Sequence, residues 1–211
     1  MCSPTLDPVN WDRLFEDLEG QLASEWEAER AARDAESERL RIAQLTLRSR
    51  LRFLCERQAS VIMDLANGRR VPLTLRTVGA DWIAADSTTA RGGGSAHSML
   101  VIPLHAVHGV STDHGMILGS LDEQPAPPSA LRERMTLGFV LRDLARRRVP
   151  LHLSTANAED IHGTIDRAGS DHLDLALHDA GTARLAGAVQ GFRIVPFEAV
   201  VSVRTTGDQP L

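Results

Sequence analysis

Three histidines, His105, His108 and His114, fall within one short stretch of the chain. Imidazoles at that density raise metal ligation and general acid–base chemistry first. The stretch reads as strand, where side chains alternate between faces, so the odd spacing of His105 and His108 points them apart. No cysteine or paired carboxylate completes a ligand set, and no metal is expected. His162, His172 and His178 read as polar-face strand residues beside Asp166, Asp174 and Asp179. The run GGGSAH lacks the Gly-Lys-Ser/Thr of a phosphate loop and has no glycine two residues after Ser95, so it is neither phosphate cradle nor nucleophile elbow. It reads as a flexible hairpin connection. Cys55 sits in a helical pattern beside Leu51 and Leu54 and reads as a buried structural thiol; Cys2 reads as an ordinary terminal thiol. No carboxylate pair stands in an apolar setting. Neither an enzyme nor a cofactor is expected.

The elements that must position these residues belong to a chain of 211 residues with 43% hydrophobic content, enough for one large or two small cores. No apolar run approaches the roughly 18 residues of a membrane span. The start, MCSPTLDPVN, has neither a basic region nor an apolar one, so it does not read as a secretory signal, and a cytoplasmic protein is expected. The formal net charge is −5, which argues against a general nucleic-acid coat. All 23 basic residues are arginines, which, with the alanine richness, reads as the genomic bias of a high-GC bacterium.

Residues 1–57 form the first segment. Its residues 10–57 read as one long amphipathic helix or two nearly collinear ones, with coiled-coil character and with Asn10 or Asp12 as cap. Trp11, Leu14, Phe15, Leu18, Leu22 and Trp26 recur at three- and four-residue spacing and form an apolar stripe. The stripe predicts a homo-oligomer or a partner helix, because a helix this long cannot bury it on a small neighbour. Residues 12–38 hold ten acidic residues against three arginines, and residues 39–57 hold six arginines against Glu56. That segregation allows antiparallel pairing, acidic half on basic half.

From residue 58 the period changes to two. SVIMDLANGRR reads as a strand and an Asn67-Gly68 turn, and VPLTLRTVGADWIAAD as one strand bent at Gly79. MLVIPLHAVHGVS reads as two strands around a short turn. Residues 119–130 form a proline-rich linker, and a helix is predicted from Ser129, its cap, to Arg148. The pattern then restarts. VPFEAVVSV echoes IPLHAVHGV, and offsets of 88 at Val61/Val149, 90 at Gly79/Gly169 and 93 at Pro103/Pro196 suggest an internal repeat of a helix-plus-strands unit.

SVIMDLANGRR and HAVHGVS are similar to the two sequence motifs of the Sm-like small β-barrels, and the chain most resembles the bacterial RNA chaperone Hfq. The resemblance covers residues 45–113 and, more weakly, 131–206. It implies an α+β protein: a long N-terminal helix plus two Sm-like five-stranded small β-barrels, each preceded by a helix. The first barrel would span 58–118, and a helix plus the second barrel 131–206. It also implies RNA contact at His105, which matches the histidine of the second motif, whereas Glu198 holds that place in the second unit. Trp82, Phe192 and Phe197 read as core fillers rather than base-stacking platforms.

These readings converge on a non-enzymatic cytoplasmic scaffold. It would oligomerise through the N-terminal helix and engage a protein partner through its barrels. The alternative is an RNA-binding protein using His105 with the helix arginines Arg48, Arg52, Arg146, Arg147 and Arg148.

Overall fold

The helical pattern of residues 10–57 is cut just before Thr46. Helix α1 runs Trp11–Ala43 and helix α2 runs Leu47–Glu56. Thr46 takes an extended backbone. Its hydroxyl accepts from the Ser49 amide at 3.1 Å, and its own amide donates to the Ser49 hydroxyl at 3.1 Å. This reciprocal box satisfies two backbone donors and starts a new helix. In the computed structural model the described residues are 11–87, 98–122, 131–181, 185 and 187–206, with the side chains of 11–14, 132 and 206 outside the description. Asn10, Ser129 and the GGGSAH run lie outside them. Residues 1–45 and residues 46–211 form two separate units.

Among the described residues the second unit contains ten strands: β1 (Ser60–Leu65), β2 (Arg70–Val78), β3 (Trp82–Ser87), β4 (Ser98–Pro103), β5 (Val107–Ser111), β6 (Pro150–Thr155), β7 (Asp160–Ala168), β8 (His172–Leu177), β9 (Gly191–Pro196) and β10 (Val200–Thr206). They form one open antiparallel sheet in the order β5-β1-β2-β3-β4-β10-β6-β7-β8-β9. This overturns the two closed Sm-like barrels and the duplicated barrel unit expected from the sequence. A barrel closing within the first half would use the free side of β4. That side is taken by β10, with Met99 opposite Thr205 and Val101 opposite Val203. Strands β5 and β9 are left as the edges.

The Asn67-Gly68 turn forms as expected, with Gly68 at φ 76°. The single bent strand expected at Gly79 is instead two strands. The Gly79 amide donates to the Trp82 carbonyl at 2.8 Å and closes a turn between β2 and β3. Any Cβ at Gly79 would run into the Trp82 indole.

Two cores lie on opposite faces of β3 and β4. One face buries Ile83, Ala85, Leu100 and Ile102 against Leu51, Phe53 and Leu54 of α2 and against β1 and β2. The other buries Trp82, Ala84 and Val101 with Leu137, Val140, Leu141 and Leu144 of helix α4 (Leu137–Arg146) and with strands β6 to β10. Strand alternation therefore feeds both cores from one pair of strands. The segment at 119–130 is not all linker: Gly119 ends a short helix α3 (His114–Gly119), and 123–130 lie outside the described residues.

The helix expected over 129–148 is also shortened. A 3-10 turn occupies Arg132–Arg134 and α4 begins only at Leu137. The Met135 carbonyl is drawn out of any helix by two donors, the Ala80 amide at 2.9 Å and the Trp82 indole N–H at 2.8 Å. Thr136, in the cap position, makes no side-chain cap bond. The Leu137 amide donates instead to the Asp81 carboxylate at 2.6 Å, so a residue more than fifty positions away caps α4.

Trp82 is 2% exposed and carries both a core contact and a backbone anchor. Trp82→Ala is expected to lower stability by about 3–5 kcal/mol in urea unfolding. A loss under about 1 kcal/mol would show that the indole does not hold α4 to the sheet.

Candidate functional site

Helix α1 has 33 residues and a length of about 50 Å at the usual rise. Phe15, Leu18, Leu22 and Trp26 share one face and are 57%, 45%, 51% and 62% exposed. Leu40 returns to that face, but Glu29, Arg33 and Glu36 lie on it between Trp26 and Leu40. Arg33 donates to Glu29 at 2.9 Å. The apolar patch is thus concentrated in the first half of the helix. Trp11 and Leu14 belong to α1 by backbone; their side chains lie outside the described residues. The helix break places Arg48, Arg50, Arg52 and Arg57 in the second unit, so the basic half expected for antiparallel pairing is reduced within α1 to Arg39 and Arg41.

The residues named for RNA contact are scattered and engaged. His105 lies on a 3-10 turn between β4 and β5, and its Nε2 donates to the Val200 carbonyl at 3.1 Å. Arg48 donates to the Gly79 carbonyl at 2.7 Å and the Glu133 carbonyl at 2.8 Å. Arg52 lies 3.7 Å from the Glu133 carboxylate, with its Nε buried and unpartnered. Arg146 and Arg147 share Asp143 at 2.6 and 3.1 Å, and Arg148 donates to Asp166 at 2.7 Å. These arginines knit helices to strands and turns. Of the aromatic residues read as core fillers, Trp82 is one, whereas Phe192 is 65% exposed on edge strand β9.

A second concave site has no counterpart in the motifs. Registers across β10, β6 and β7 set Arg204 opposite His152 and His152 opposite His162. His178 continues the row, with ring centroids 4.6 Å apart for His152–His162 and 4.9 Å for His162–His178. His178 is buried, not on a polar face as expected. Its Nδ1 donates to the Asp179 carbonyl at 3.2 Å, and its Nε2 sits 2.9 Å from the Thr164 hydroxyl. His162 donates from Nδ1 to the His178 carbonyl at 2.9 Å. Among the described residues no group of three His, Cys, Asp or Glu side chains is arranged to hold a metal ion. The Arg204 end of the row opens into a cleft of about 130 Å³, with Arg69 from the β1–β2 turn and Arg70 from the start of β2 on its wall. Burial, then the positive charge of Arg204 and the neighbouring His162, hold His152 below the ordinary histidine range, against a smaller opposite pull from Asp160.

Nucleophilic chemistry at Cys55 is suppressed. Its thiol is pushed up to about 12 by burial and then by the Glu56 charge. Among the described residues no helix is long and apolar enough to cross a membrane. No family model, no curated protein and no solved structure matches the chain.

Two measurements follow from these environments. Iodoacetamide at pH 8 is expected to leave Cys55 unmodified in the native protein and to label it in denaturant, read by peptide mass; rapid native labelling would contradict its burial. An NMR titration of His152 is expected to give a midpoint below about 6.5, and Arg204→Gln should move it upward. A midpoint left unmoved by Arg204→Gln would mean that Arg204 does not act on the ring.

Proposed function

We propose that the chain is a non-enzymatic cytoplasmic scaffold that self-associates through α1 and presents its sheet unit to a protein partner. The observation that carries this reading is the exposed face of Phe15, Leu18, Leu22 and Trp26. Isolated helices gain little stability alone, and a contiguous exposed apolar stripe is the usual mark of an interaction surface. The occupant is a second copy of α1, packed antiparallel along its whole length. Parallel pairing would set the acidic first half against itself. Antiparallel overlap sets it against a less acidic half, where Arg30, Arg33, Arg39 and Arg41 offset all but one of five carboxylates, and brings Leu22 opposite Ala32 and Phe15 beside Leu40. The partner surface on the sheet unit is the β9 edge, where Phe192 and Ile194 stand exposed and where no strand among the described residues pairs with the outer side. An extended partner segment adds there as a further strand.

Light scattering on the full chain is expected to give twice the 23.0 kDa monomer mass, falling to the monomer in Leu22→Glu/Trp26→Glu. A monomer in the parent protein at high concentration would remove self-association from this reading.

A further inference from the structure

The cleft at the β4–β10–β6 junction has a charge that the fold does not neutralise. Arg69 is paired with Asp160 at 3.3 Å and Arg70 with Asp64 at 3.1 Å. Asp160 also accepts from the Ser154 hydroxyl at 2.7 Å, so both its oxygens are engaged. Arg204, half-buried on β10, has no carboxylate and no hydrogen-bond acceptor among the described residues. An unpaired guanidinium on the wall of a partly enclosed cleft keeps its N–H fork available to a bound anion. Ser202, two residues earlier on the same face, is 7% exposed; it lines the cleft, and its hydroxyl has no hydrogen-bond partner among the described residues. His152 stands directly opposite Arg204.

We propose that this cleft binds a small tetraoxoanion, a phosphate or the phosphate group of a small monoester. Arg204 supplies the charge, Ser202 a hydroxyl donor and Arg69 the rim. The cleft, about 130 Å³ in volume, has room for one phosphate beside Arg204. The charge fits as well. With Arg69 and Arg70 paired, the surplus is one positive charge, and it becomes two when His152 takes a proton. Planar guanidinium forks match the oxygens of phosphate in pairs. Asp160 on β7 is the internal competitor, since it draws Arg69 away from the cleft.

The test is an amide NMR titration of the full chain with sodium sulfate, whose charge does not change with pH, at constant low ionic strength, followed by inorganic phosphate and O-phosphoserine to separate free from esterified anion. Saturable shifts are expected at Ser202, Arg204, His152 and Arg69. Arg204→Gln should weaken binding about tenfold, the loss of one charged hydrogen-bond pair. Asp160→Asn should strengthen it by freeing Arg69. Sulfate affinity should rise as pH falls below about 6.5, where the His152 ring becomes charged. The groups facing that ring are Arg204 on β10 and His162 and Asp160 on β7. Shifts no larger than chloride produces, or equal affinity in the parent, Arg204→Gln and Asp160→Asn, would overturn the proposal. So would saturable binding only by RNA oligonucleotides, with the cleft amides unmoved. If Arg204→Gln fails to fold, the sign of the Asp160→Asn effect decides alone.

Discussion

The pairing of β4 with β10 is the contact on which the sheet unit rests. It joins Val101 to Val203 and Met99 to Thr205 across about a hundred residues. Once β10 takes the free side of β4, the strands continue as one sheet and β3 and β4 come to lie in its interior. Both their faces must then be covered. Helix α2 covers the face of Ile83, Ala85, Leu100 and Ile102, and α4 covers the face of Trp82, Ala84 and Val101. The near-continuous burial of β3 has this cause. It also explains why α4 is capped from afar. The helix must start where the Trp82 face needs it, and Asp81 and the Met135 carbonyl fix that start. His105 on the Val200 carbonyl ties the same junction from the side of its 3-10 turn.

The cleft is a product of that junction. Arg204 and Ser202 come from β10, His152 from β6, and Leu100 from β4, so the floor exists only where the two halves of the sheet meet. The β1–β2 turn supplies Arg69, and Asp160 on β7 reaches it from the other half. The apolar patch of α1 and the cleft of the sheet unit are built from different residues.

Much of the local structure was legible in the residues. The stripe from Phe15 to Trp26, the strand and Asn67-Gly68 turn of SVIMDLANGRR, and the two strands of MLVIPLHAVHGVS all rest on periodicity and turn chemistry, which act over a few residues. The break at Thr46 had a signal as well, the Thr-x-x-Ser capping pair, but the unbroken apolar period on either side outweighed it. What failed was non-local. The start of α4 depends on hydrogen bonds to residues 80–82, and nothing near Thr136 announces them. The open sheet depends on β10 reaching β4, a pairing that similarity between the two halves obscures by suggesting that each closes alone. The cleft was invisible for the same reason. Arg204 lies about forty to fifty residues from His162 and His152, and the three align only through strand register. His178 was misplaced because its residue type says polar surface, whereas Thr164 and the Asp179 carbonyl satisfy it in the interior.

The same junction has a consequence for synthesis. A ribosome delivers β4 about a hundred residues before β10. During that interval the outward amides of β4 have no strand to meet, and the Trp82, Ala84 and Val101 face waits for α4. Closing so long a segment is slow relative to forming the hairpins within it. A nascent chain therefore carries a template edge and an indole-bearing apolar face into the cell before their partners exist, a state open to mispairing between neighbouring chains or to holding factors that mask apolar surface. The half that emerges first is completed by the half that emerges last.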